Sequence, residues 1–249
     1  VSVETELNWR PGRGMTSHTV YIDADEAAVA DGTAAAHAVT EHGYAPDSLD
    51  FATQYFWRVD EAGDAGSYAG EVWSFTTEEF AVVDDFESYD DDIDAGTAIY
   101  QTWADGVTNG TGSYVGYENS KNGTFGETAI VHGGRQSMPL SYDNTKPPYC
   151  SETERKFDSA WNWTARGADT LSLYFQGAAA NSSEPLYVTI KDGVKSATVT
   201  HSNAAATAVA EWQQWKIPLS EFDAAGVKVT AVKAMVIGVG NKTAAGTGI

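Results

Sequence analysis

The chain runs to 249 residues, 42% of them hydrophobic and 12% aromatic, with a single cysteine and a formal net charge of −20. These proportions belong to one or two globular domains and exclude a disordered chain, while the lone Cys150 excludes an internal disulfide framework and a cysteine-based zinc site. The acidic field repels phosphate, which argues against nucleic acid and anionic membranes as partners; no apolar run approaches the roughly 18 residues of a membrane span, no basic-then-apolar signal segment opens the chain, and a soluble piece beginning mid-protein is expected.

In chain order, Leu7-Asn-Trp9 reads as a strand fragment closed by the turn Arg10–Gly14, and Ser17–Ile22 alternates with the period of a half-buried strand. Residues 23–39, rich in Ala and acids, read as a helix-like or loop insertion. Gln54–Asp60 alternates again and places Tyr55, Trp57 and Val59 on one face, and Gly70–Thr76 sets Val72 opposite Trp73 and Phe75. The spacing predicts a small antiparallel sandwich over residues 1–78.

The run Glu71-Val-Trp-Ser-Phe-Thr-Thr77 ends that module, and Val82-Val-Asp-Asp-Phe-Glu87 begins a second over residues 79–249. Charge divides with it. Residues 1–78 hold 14 Asp/Glu against 3 Lys/Arg, residues 79–105 hold 9 acids and no Lys or Arg, and residues 106–249 balance 12 against 12. A balanced remainder suits a neutral ligand.

Candidate strands of the second module are Ala81–Tyr89, Tyr114–Glu118, Thr128–Val131, Gln136–Asp143, Ser151–Phe157, Thr170–Gln176, Pro185–Asp192, Lys195–His201, Trp212–Pro218 and Val229–Val239. Nearly all are short, β-branched or aromatic, and bounded by Gly, Asn, Asp or Pro. Only Ser220–Ala225 looks helical. The expectation is an all-β chain, with a larger sandwich of jelly-roll type after the small one.

Two resemblances attach to these residues. Leu7-Asn-Trp9, Thr19-Val-Tyr21, Leu49 with Tyr55-Phe-Trp-Arg-Val59, and Trp73-Ser-Phe-Thr-Thr77 together resemble a fibronectin type III domain, which implies an immunoglobulin-like sandwich with Trp9 buried, a Tyr55 hydroxyl tying a loop, and a spacer role. Val83-Asp-Asp-Phe-Glu-Ser-Tyr89, Gly133–Asn144, Thr170–Gln176 and Trp212–Leu219 resemble, in this order, the β-jelly-roll (galactose-binding-like) carbohydrate-binding modules of bacterial extracellular polysaccharide-degrading proteins. Such modules finish with an acidic strand after a stretch like Gly246-Thr-Gly-Ile249, so a closing strand beyond Ile249 is expected.

In an extended strand Asp85 and Glu87 share a face and Asp84 points away. Two carboxylates beside a glycine turn suit calcium, with backbone carbonyls from Gly133–Arg135 completing the oxygen set; the resembling modules hold a structural Ca2+ in this way. The acids of Asp90–Asp94 mimic the start of a calcium loop but fail its pattern, with Ala95 where Gly is needed and Gln101 where an acid is required.

Sugar recognition needs flat aromatic faces flanked by amides and carboxylates. Trp103, among Asp105, Asn109 and glycines, is the leading platform. Tyr149, Trp161 and Trp163 sit beside turn residues and either bind or cover the sandwich edge, and Tyr142, Tyr174 and Gln176 could line a concave face or be half-buried sheet residues. Trp212 and Trp215 fall on opposite faces of one strand, so one is core.

The five histidines, at 18, 37, 42, 132 and 201, form no ligand-spaced pair and read as surface residues. No nucleophile elbow, phosphate loop or dinucleotide fingerprint occurs. The expectation is thus a secreted, extracellular, non-catalytic part of a larger multimodular enzyme or surface protein, binding a neutral plant or algal polysaccharide. The rival reading is a structural or adhesive surface protein without a glycan ligand.

Overall fold

The computed structural model describes residues 1–118 and 123–242, and the expected closing segment at Gly246–Ile249 lies outside them. The chain is all-β, built of antiparallel sheets with a few short helices. It divides into two compact units, Val1–Val82 with Arg166–Ala168, and Val83–Ala165 with Asp169–Ile249.

In the first unit, β1 (Leu7–Asn8) pairs with β4 (Gly43–Tyr44), and β3 (Ala36–Val39), β2 (Met15–Asp23), β5 (Gln54–Gly63) and β6 (Gly66–Tyr68) form a sheet in that order, with β7 (Trp73–Thr76) also on β5. Alternation explains the layering: Trp57 and Val59 turn inward to meet Leu7 and Val20 in the core, while Arg58 turns to the opposite face of the sheet and is buried there. There it bonds Asp60, on the same face, and the Ala30 carbonyl of α1 (Glu26–Asp31). The stretch read as an insertion therefore holds a true helix and a strand. Asp25 caps the helix by accepting from Ala27 N, and Gly32, at φ 72°, closes it in the left-handed region. The Tyr55 hydroxyl accepts from Asp50 N at 3.0 Å and so ties a loop, whereas Trp9 is only half-buried. His18, expected at the surface, is buried against the rings of Trp9 and His42.

The second unit has a five-stranded sheet in the order β14 (Ser196–Thr200), β13 (Leu186–Lys191), β16 (Val232–Gly240), β11 (Cys150–Trp161), β8 (Trp103–Ala104). Two pairs, β9 (Ser113–Val115) with β10 (Leu140–Tyr142) and β12 (Thr170–Phe175) with β15 (Gln213–Pro218), supply further apolar side chains to its core. Val188, Ile190, Met235 and Ile237 point into that core to meet Leu171, Trp215, Ile217 and Phe222, the last on the short helix Leu219–Ala224. Trp215 is thus the core member of its pair. Trp161 and Trp163 pack edge-on around Phe157 and close the core.

At the β13–β14 hairpin Asp192 accepts from the backbone N–H groups of Val194, Lys195 and Lys228. Those donors, Lys195 foremost, draw its carboxyl from 3.8 down to about 2. A folded value below the unfolded one means that the hairpin's support is whole above pH ~4 and fades as pH falls toward ~2. Thermal melts between pH 2 and 5 should therefore show a flatter acid dependence for Asp192→Asn than for the parent.

Candidate functional site

The opening of the second unit departs from expectation. Residues 83–87 are not a strand; Phe86 takes a φ of 63°, which turns successive side chains away from simple alternation. Asp84 is consequently the buried acid. Its Oδ1 accepts from Phe86 N, and its Oδ2 accepts from the Tyr89 hydroxyl at 2.6 Å, from Trp103 Nε1 at 2.7 Å, and from Arg155. Burial and that bond to Asp84 push the Tyr89 hydroxyl well above its ordinary range.

This network removes the leading platform. Trp103 is 1% exposed, packed at a tilt against Phe86 with its indole N–H spent on Asp84. Asp105 is buried too; it caps the helical turn Gly106–Asn109 by accepting from Val107 N, and its other oxygen accepts from Val115 N. Asn109 donates to the Ala104 and Glu152 carbonyls. The loop is polar in composition because its own turns consume the polar groups. Tyr142 is likewise inward, its hydroxyl bonded to the Ser182 carbonyl, and Trp163 is buried. Trp161 and Tyr149 are half-buried, Tyr149 just after the cis Pro147–Pro148 bond.

The calcium arrangement is also replaced. Asp85 is exposed and accepts from Glu87 N. Glu87 accepts from Arg135 N and Gln136 N through one oxygen and from Arg135 Nε through the other, which holds its carboxyl below the usual range, the Arg135 backbone bond contributing most. The Gly133–Arg135 turn thus offers Glu87 amides rather than carbonyls, and a guanidinium stands where a cation would sit. A Cβ on Gly134, at φ 74°, would lie 2.3 Å from Glu87 Oε1, so only glycine fits. Among the described residues no group of three or more His, Cys, Asp or Glu could hold a metal. These residues do not fit calcium, and a melting temperature that is the same in EDTA and in excess Ca2+ is the expected result.

The clamp on Arg135 positions something else. Three residues upstream, His132 lies over Tyr174 of β12, with ring centroids 3.8 Å apart and planes 23° apart, and Trp212 meets the imidazole edge-on at 5.5 Å. Gln136 tightens the same loop by donating to the Phe86 and Tyr89 carbonyls. Tyr174 is 43% exposed and His132 is exposed. Strand alternation sends Leu171 and Leu173 of β12 toward the core, and Ser172 and Tyr174 outward. On β15 Gln214 faces Tyr174, and Lys216 faces Ser172, in register; Gln214 Nε2 donates to Ser172 Oγ at 2.9 Å. Gln176 borders this face, its amide donating to the Ala210 carbonyl while its Oε1 has no partner. The result is an exposed surface with three rings beside two amides and a hydroxyl, and with no carboxylate at the outward positions of either strand.

Of the residues expected to line a concave face, then, Tyr174 lies on this surface and Gln176 borders it, while the other expected ligand residues lie elsewhere. His132 and Trp212, which complete the three rings, were not among the expected ligand residues: a histidine in a glycine turn carries no periodic signal, and the order of the Trp212 and Trp215 faces is not written in their spacing.

No protein-family model matches the chain, and no curated protein matches it. Among solved structures it is similar to an α-L-rhamnosidase from Dictyoglumus thermophilum, at 8% identity and a TM-score of 0.25 over 96% of this chain and 21% of that one. It is also similar to an α-L-rhamnosidase from Aspergillus terreus, at 11% identity and a TM-score of 0.24 over 96% of this chain and 22% of that one. The chain spans about a fifth of the length of these structures, and likeness at that level carries no argument about activity.

Proposed function

We propose that the second unit binds a polysaccharide without cleaving it, through the surface around Tyr174, His132 and Trp212, and that the first unit is a spacer. The observation that carries the reading is the exposed His132–Tyr174 stack, with Trp212 on its edge and the Gln214–Ser172 pair beside it. Pyranose rings present C–H faces that lie on aromatic faces, and equatorial hydroxyls that bond amides at the ring margin. Rings held by packing before the ligand arrives lose little entropy on binding. A neutral plant or algal chain suits a surface whose two strands carry Lys216 as their one outward charge, and the setting is an extracellular, multimodular protein.

The test is a panel of soluble glucans, xylans and mannans, read by titration calorimetry and by retardation in polysaccharide-containing native gels. At least one polymer should bind with no release of reducing sugar. Indifference to the whole panel, with self-association or capture of another protein instead, would favour an adhesive surface protein; released reducing sugar would make it an enzyme.

A further inference from the structure

On the solvent side of the five-stranded sheet, the central strand β16 presents only small residues, Ala234, Val236, Gly238 and Gly240, while its neighbours bridge across it. Tyr187 of β13 lies over Gly238, where an added Cβ would come within 2.2 Å of the ring, and its hydroxyl donates to Glu152 of β11 at 2.8 Å. Lys242 binds the same carboxylate at 2.5 Å and sits 5.0 Å from the Tyr187 ring centroid. Burial, with Glu152 next, pushes the Tyr187 hydroxyl far above its ordinary range, so it stays a neutral donor.

Beside this bridge opens a cavity of about 340 Å³ lined by Pro185, Tyr187, Thr198, Thr200, Gly240, Asn241 and Lys242. That volume is at the lower end for small-ligand sites, with room for one ring. Its chemistry is uncharged in sum, since Lys242 is neutralised by Glu152, and Thr198 and Thr200 place two hydroxyls on an otherwise largely apolar lining. The Thr198 hydroxyl shares a 2.7 Å bond with Thr189 in which either oxygen can donate, so it can turn to suit a ligand's donor or acceptor.

We infer that this cavity is a separate site for a single neutral sugar residue, its hydroxyls met by Thr198 and Thr200 and its ring edge by Tyr187. It shares no residue with the Tyr174 surface and stands whether or not that surface binds polymer. A shallow hollow with room for one ring takes one residue of a chain or a free monosaccharide, whereas an extended aromatic face takes the side of a chain.

The experiment is a titration of the ¹⁵N-labelled full chain with glucose, galactose, mannose and xylose, following backbone amide shifts. One of them should move the amides of Thr198, Thr200 and Gly240 with millimolar affinity, as expected of one ring in a shallow site. Thr200→Tyr, which fills the cavity from an exposed position, should abolish those shifts, and the paired change Thr198→Val with Thr200→Val, of nearly equal volume, should weaken binding tenfold or more. Tyr174→Ala should leave them unchanged. Absence of shifts with all four sugars, or shifts indifferent to both pocket variants, would overturn the inference without touching the polymer-binding reading.

Discussion

Asp84→Ala is expected to lower the stability of the second unit by about 3–5 kcal/mol, the range for removing one partner of a buried ion pair. The loss has three parts that act together. Arg155, three-quarters buried, keeps the Val83 carbonyl but loses its counter-charge; the Trp103 indole N–H and the Tyr89 hydroxyl lose their shared acceptor inside the fold. For a unit of this size the melting temperature should fall by roughly 10 °C. Asp84→Asn separates the terms, because an amide oxygen still accepts from Trp103 while the charge is gone. Trp103→Ala should likewise destabilise, by about 3–5 kcal/mol, through the cavity left at a fully buried indole. Scanning calorimetry decides the matter: a Trp103→Ala protein that melts normally but no longer binds glycan would restore Trp103 as a platform and overturn the buried network.

Tyr174→Ala is expected to weaken polysaccharide binding by 10- to 100-fold, or about 1.4–2.8 kcal/mol, with the fold intact. The fold should survive because the side chain faces solvent from β12, opposite in direction to Leu173, and the backbone pairing with Gln214 does not depend on it. Two effects add in the binding loss. The ring face itself goes, and His132 loses the partner that holds its imidazole in place. Tyr174→Phe keeps the stack and should retain most of the affinity, so the pair of variants distinguishes a stacking surface from a hydroxyl contact. Equal binding by parent and Tyr174→Ala, measured by calorimetry on the best polymer of the panel, would remove this surface from consideration.

The sheets of the second unit were legible because β11 to β16 obey the period of two: Val188 and Ile190 go in, and Tyr187 and Thr189 go out, as the spacing says. The opening segment was not, since one positive φ at Phe86 breaks the alternation on which the Asp85/Glu87 face depended. Trp103 illustrates a different failure. Its neighbours in sequence are polar, but its partner Asp84 lies 19 residues away, and burial is decided by that pairing and by the ring of Phe86. The same holds for His132, whose meaning comes from Tyr174 on a strand with which it shares no local pattern. Composition reports the company a residue keeps along the chain, whereas a binding surface is made by the company it keeps across it.

Glu87 reaches 48 residues forward to fasten the turn that carries the imidazole. The proposed recognition surface is therefore spliced from four separate stretches, one of which contributes no ring. An excised second unit that starts after that glutamate would retain the β12–β15 pair with its tyrosine and the tryptophan that leads into it, yet its third ring would swing free on an unfastened glycine turn. The boundary for any transplant of this surface onto another protein lies upstream of Val83, well outside the residues that a sugar would meet.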